Sequence, residues 1–149
     1  MQNESIITGN ESGSLFILSS DLATKTKIDS PTFRNIRHID FGIDSNKIFL
    51  FSDDFGIYTF DLEKQKVCSE TLMEGHLDII TSADCLTQKA VLFTSSLDGT
   101  VRMWDAKSGD NKVLYENKEV DTWAVKYYES LDKVVIGDEN GNLSLIDYK

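Results

Sequence analysis

Hydrophobic positions in this chain come in short bursts. Runs of four to seven apolar residues alternate with clusters of Gly, Asp, Asn and Ser along its length. KIFLF (47–51), AVLFTSS (90–96), TVRMW (100–104) and KVVIG (133–137) are rich in β-branched and aromatic residues. They are too short for helices and carry no helical period, so the pattern predicts strands. Nothing reads as a helix, and one proline among nine glycines leaves no obvious linker. The prediction is an all-β chain forming a single domain over residues 1–149.

The strands repeat. NESGSLFILS (10–19), DDFGIYTFD (53–61), LDGTVRMWD (97–105) and ENGNLSLID (139–147) share an order of strand end, polar turn and second strand. Ser12, Asp54, Asp98 and Asn140 lie 42, 44 and 42 residues apart, and the sixth position after each is Leu18, Phe60, Trp104 or Ile146. Turns bearing Asp-Gly or Asn-Gly predict two-residue hairpins with positive φ at both central residues. A period of about 40–45 residues fits a supersecondary unit that buries its faces against neighbouring copies.

Residues 75–105 resemble one nearly complete WD40 repeat. Gly75-His76 is followed after 22 residues by Asp98-Gly99, and Trp104-Asp105 closes the segment. The other three copies lack Gly-His and Trp-Asp and match by period and turn chemistry. The resemblance implies β-propeller blades, each a four-stranded antiparallel sheet. Blade cores are expected near 5–28, 33–72, 76–117 and 120–148. The count is three strands, four, four and three: 14 strands, about 3.5 blades, an incomplete ring in one chain. Such a half-ring leaves open faces and edges. Either the chain is part of a longer propeller, or another chain completes the ring. Self-association would supply about the strand number of a seven-bladed ring, yet each junction would set three strands against three, so neat closure does not follow.

Charge narrows the partners. The net charge of −10, from 25 acidic and 15 basic residues, opposes a nucleic-acid backbone or an anionic membrane and leaves room for a basic protein. Cys68 and Cys85 sit in apolar segments without metal-ligand spacing, as buried free thiols in a reducing compartment would. No run approaches the roughly 20 apolar residues of a membrane helix, and MQNESII lacks the features of a signal peptide. An intracellular location, cytoplasmic or nuclear, is expected.

The resemblance also implies a structural hydrogen-bond tetrad of His76, Thr94, Asp98 and Trp104, with Ser96 as the alternative hydroxyl. A carboxylate, hydroxyl, imidazole and indole can satisfy one another when buried. A hydrolase triad would instead need an exposed nucleophile beside oxyanion donors. His38 is expected at a strand edge. The acid pairs Asp53-Asp54 and Asp138-Glu139 fall in turns and read as solvated turn chemistry. No phosphate loop, dinucleotide fingerprint or metal-ligand cluster is present in the sequence, so no cofactor, no metal and no enzyme activity are expected.

Family propellers usually bind partners on the face holding the turn after the second strand and the approach to the innermost strand. Transferred by position, that face comprises Leu77, Ile79, Thr81 and Leu97 in the third blade, and Glu119, Asp121, Trp123 and Glu139 in the fourth. The second blade contributes Phe33, Asn35, Arg37 and Asp53, the first Glu11. Apolar anchors ringed by acids suit a basic or Arg-rich protein or peptide, with Trp123 as anchor. The competing reading packs Trp123 between blades. DFGIYTFDLEKQ (54–65) and GDENGNLSLID (137–147) are similar to the WD-repeat subunit of the methylosome, which docks an arginine methyltransferase. The expected function is a non-catalytic interaction scaffold, an adaptor in a multiprotein complex. The rivals are a structural subunit without a separable ligand, and a small-ligand or enzymatic site in the propeller channel.

Overall fold

The computed structural model describes residues 5–29, 34–44, 46–68 and 72–149. Among them, 14 strands form four antiparallel sheets in chain order, each a simple meander. The first sheet holds β1 (Ser5–Gly9), β2 (Ser14–Ser19) and β3 (Lys25–Asp29). The second holds β4 (Ile36–Phe41), β5 (Lys47–Ser52), β6 (Ile57–Asp61) and the two-residue β7 (Lys66–Val67). The third holds β8 (Ile80–Leu86), β9 (Val91–Ser96), β10 (Thr100–Asp105) and β11 (Asn111–Glu116). The fourth holds β12 (Thr122–Tyr128), β13 (Lys133–Asp138) and β14 (Leu143–Ile146). Among the described residues the sheets do not close into a ring.

Three apolar seams join the sheets. Leu15, Ile48, Leu50 and Phe60 fill the first; Phe49, Phe51, Ile57, Ile80, Leu92 and Trp104 fill the second; Phe93, Val101, Val125, Val134 and Ile136 fill the third. Alternation along β5 sends Ile48 and Leu50 toward the first sheet and Phe49 and Phe51 toward the third. Burial on both faces explains why KIFLF reads as a continuous apolar run. β4, β8 and β12 are each an edge strand of their sheets, and β8 adjoins both of the others along the inner side of the array.

The hairpins depart from the expected type. In the four turns that follow β1, β5, β9 and β13, positive φ occurs at one residue only: Gly13, Phe55, Gly99 and Gly141. The N–H of each donates three residues back, to Asn10, Ser52, Ser96 and Asp138 at 3.0–3.2 Å. These are type I turns followed by a left-handed residue, not two-residue turns with two positive φ values. Asp-Gly serves either geometry, because Asp fits the αR position as readily as a left-handed one.

Two further elements recur. Single 3-10 turns, Thr87–Lys89 and Glu129–Leu131, end in left-handed Ala90 and Asp132. Ala90 therefore precedes its strand, which starts at Val91. His38 lies in edge strand β4, its ring 5.3 Å from Phe51. Cys68 and Cys85 are half-buried and form no disulfide among the described residues, and burial pushes the Cys85 thiol up to about 12. No helix among the described residues is long and apolar enough to cross a membrane.

Candidate functional site

The third sheet holds a buried polar chain. Trp104 Nε1–H donates to Thr94 Oγ1 at 2.8 Å, Thr94 Oγ1 lies 2.7 Å from His76 Nε2, and His76 Nδ1 lies 2.9 Å from Asp98 Oδ2. One proton arrangement satisfies every group. Asp98 only accepts, so Nδ1 carries the hydrogen; Nε2 then accepts from Thr94, whose lone pair takes the indole N–H. Thr100 Oγ1 and the N–H groups of Leu77 and Thr100 also reach Asp98, at 2.6, 2.9 and 2.9 Å. Burial alone would raise the Asp98 carboxyl; hydrogen bonds from His76, Thr100 and Leu77 outweigh it and hold the group well below the usual carboxylate range. Ser96 stands outside this chain and donates to the Asp78 carbonyl at 3.0 Å. Thr94 is fully buried, so no substrate reaches its hydroxyl.

The residues assigned to the partner face lie at one end of the strands, and a repeated stitch brings them together. The N–H groups of Asp53, Leu97 and Glu139, in the turns, donate to the carbonyls of Asn35, Ile79 and Asp121, before the inner strands, at 3.2, 3.0 and 3.1 Å. Each inner strand then bulges at its start. The register of β4, β8 and β12 skips at Arg37, Thr81 and Trp123. A bulge takes its residue out of alternation and re-aims the side chain, and bulges concentrate beside binding sites.

The side chains at these positions differ in how free they are. Trp123 and Leu77 are 54% and 80% exposed. Thr81 is half-buried, its hydroxyl 2.7 Å from the Thr122 carbonyl across the third seam and 2.9 Å from Ser95 Oγ within its own sheet. Arg37 forms a two-pronged ion pair with Asp53, which also accepts from Asn35 Nδ2 at 2.7 Å, and the guanidinium holds the Asp53 carboxyl below its ordinary value. Glu11, Glu119 and Glu139 are exposed, and Ile79, Leu97 and Asp121 half-exposed. Phe33 lies outside the described residues. An open groove of ≈ 660 Å³ on this rim is lined by Glu11, Asn35, Asp53 and Ile79 together with Ser12, Arg34, Phe55 and Asp78. Sequence reasoning missed those last four. Phe55 alone had a visible signal, standing where the other three copies carry Gly. No cluster of His, Cys, Asp and Glu that could hold a metal occurs among the described residues.

Comparisons with known proteins point one way. No family model matches the chain. It is 36% identical over 75 residues to the U3 small nucleolar RNA-associated protein 21 homolog of Schizosaccharomyces pombe, across 50% of this chain and 8% of that protein. It is 27% identical over 127 residues to the WD repeat-containing protein JIP5 of Mycosarcoma maydis, across 81% of this chain and 25% of that one. The chain thus spans a quarter or less of these relatives' length. The crystal structure of the WD40 β-propeller domain of Doa1 superposes on the whole chain and 48% of its own, with a TM-score of 0.84 and 17% identity. Neither relative bears the name of the methylosome subunit.

Proposed function

We propose that this chain, which belongs to the WD-repeat β-propeller family, is a non-catalytic scaffold that binds a basic protein segment on the rim at the bulged ends of its inner strands. The observation that carries this reading is the bulge itself, repeated at Arg37, Thr81 and Trp123 and set among the stitched turns. Exposed Trp123 and Leu77 offer aromatic and aliphatic anchors of the kind that dominate interface energetics. With Arg37 neutralised by Asp53, the exposed acids Glu11, Glu119 and Glu139 remain to attract cations. Backbone strain adds support: Phe55 holds φ 68 in the rim groove, and bulky residues keep left-handed geometry chiefly at functional positions. An intracellular location, nuclear or cytoplasmic, accords with a half-buried Cys85 thiol outside any disulfide and with the nucleolar name of one relative.

A synthetic Arg-rich peptide titrated by calorimetry tests the reading. Changing both Trp123 and Leu77 to Ala should weaken binding at least about tenfold while the circular dichroism spectrum stays unchanged. Glu139→Gln should lower the salt dependence of the association rate. Loss of solubility in the double variant, with no measurable peptide binding in the parent, would instead favour a purely structural subunit. One observation gives that second reading weight: Leu143, Leu145 and Ile6 stand half or more exposed on the end sheets, where further blades would complete a ring.

A further inference from the structure

At the strand ends opposite the rim, the second and third sheets part around a cavity of ≈ 370 Å³. Its wall on the second sheet is graded. β5 and β6 pair Phe51 with Ile57, then Phe49 with Thr59, then Lys47 with Asp61. The first pair is apolar core and the last consists of two charged residues; between them sits a hydroxyl. Thr59 is 4% exposed, lines the cavity, and its Oγ1 makes no hydrogen bond among the described residues. Valine would fill the same space without that desolvation cost, so an unpartnered hydroxyl here points to a ligand that supplies the missing bond.

The charge around it names the ligand's sign. Lys47, Lys64, Lys66 and Lys107 line the cavity against one carboxylate, Asp61, in a chain of net charge −10. Lys47 and Lys64 have partners, Asp44 and Asp61, each at 3.3 Å. Lys66 and Lys107 are exposed and make no ion pair among the described residues. Two ammonium groups left over, one on each side of the seam, suit a dianion with several acceptor oxygens. A long polyphosphate backbone would meet the acidic remainder of the surface, whereas a single phosphate feels mainly charges within a Debye length of about 10 Å. Ile43, Phe49, Val67, Cys68 and Ala106 complete the lining and leave room for a short carbon stem.

We propose that this cavity binds a phosphate monoester carried on a peptide side chain, with Thr59 Oγ1 donating to one phosphate oxygen and Lys66 and Lys107 closing over the others. The site is separate from the rim, and changing Trp123 and Leu77 leaves it intact. The test titrates the isotope-labelled full chain with a short phosphoserine peptide, its unphosphorylated twin and inorganic phosphate, following amide shifts by NMR. The phosphopeptide should move the amides of Thr59, Lys66 and Lys107 and bind more tightly than inorganic phosphate, and the twin should not bind. Lys66→Glu with Lys107→Glu should weaken it at least about tenfold. Thr59→Val should keep the fold and lose several-fold in affinity. Phosphopeptide binding that survives the charge reversal, equal affinity for inorganic phosphate, or no shift at these amides would each overturn the proposal.

Discussion

Thr94 is the residue on which the polar chain turns, because its single hydroxyl serves both His76 and Trp104. Thr94→Val keeps the volume and strands two buried groups, His76 Nε2 and the Trp104 N–H. Each orphaned group costs about 1–3 kcal/mol, so the variant should lose about 2–6 kcal/mol, read as a lower urea midpoint at unchanged slope. Asp98 adds a pH dependence. Its folded carboxyl sits below the unfolded value of about 4, so its contribution is present above that pH and fades as pH falls through the folded range. Urea midpoints measured from pH 6 downward should therefore fall, and Asp98→Asn should flatten the slope. The spacing of His76, Asp98 and Trp104 was legible in the sequence because this copy keeps its motif. Thr100, which bonds Asp98 as closely as any partner, was not, since only the turn geometry brings its hydroxyl back to the carboxylate.

Among the elements, the four hairpins make the clearest comparison, since one left-handed position is filled three times by Gly and once by Phe. A Cβ on Gly99 would lie 2.1 Å from the Asn117 carbonyl oxygen, whereas one on Gly141 would meet nothing within 4 Å. Both Gly→Ala changes incur the left-handed penalty of about 1–2 kcal/mol, and Gly99→Ala must displace backbone as well. It should be the more destabilising of the two by thermal melting. Phe55→Gly should relieve about 1 kcal/mol and weaken rim binding, trading strain for function. The period of these turns was plain from sequence; their type was not, because Asp-Gly and Asn-Gly fit both hairpin geometries.

Among the described residues the molecule is a stack of four sheets whose two end sheets are uncovered on one side. Inner sheets bury both faces, and for that reason strand number and order were readable from short apolar bursts. What the bursts hid was the parting of the second seam, because a threonine in a strand reads simply as a β-branched residue. The end sheets expose Leu143, Leu145 and Ile6, with Leu143 at 79%. Light scattering on the 16.8 kDa chain should accordingly report association in solution, reduced by Leu143→Lys with Leu145→Lys. A monodisperse monomer would remove self-completion as a way to finish the ring.

The bulges have a bearing on how such a protein changes over generations. A residue lifted out of alternation has no cross-strand partner to match, so its identity can drift without disturbing the register of its strand. Arg, Thr and Trp occupy the three equivalent places here, as different as side chains can be, while the flanking pairs remain in step. Specificity at the rim can thus be rewritten position by position, on a frame that takes no part in the rewriting.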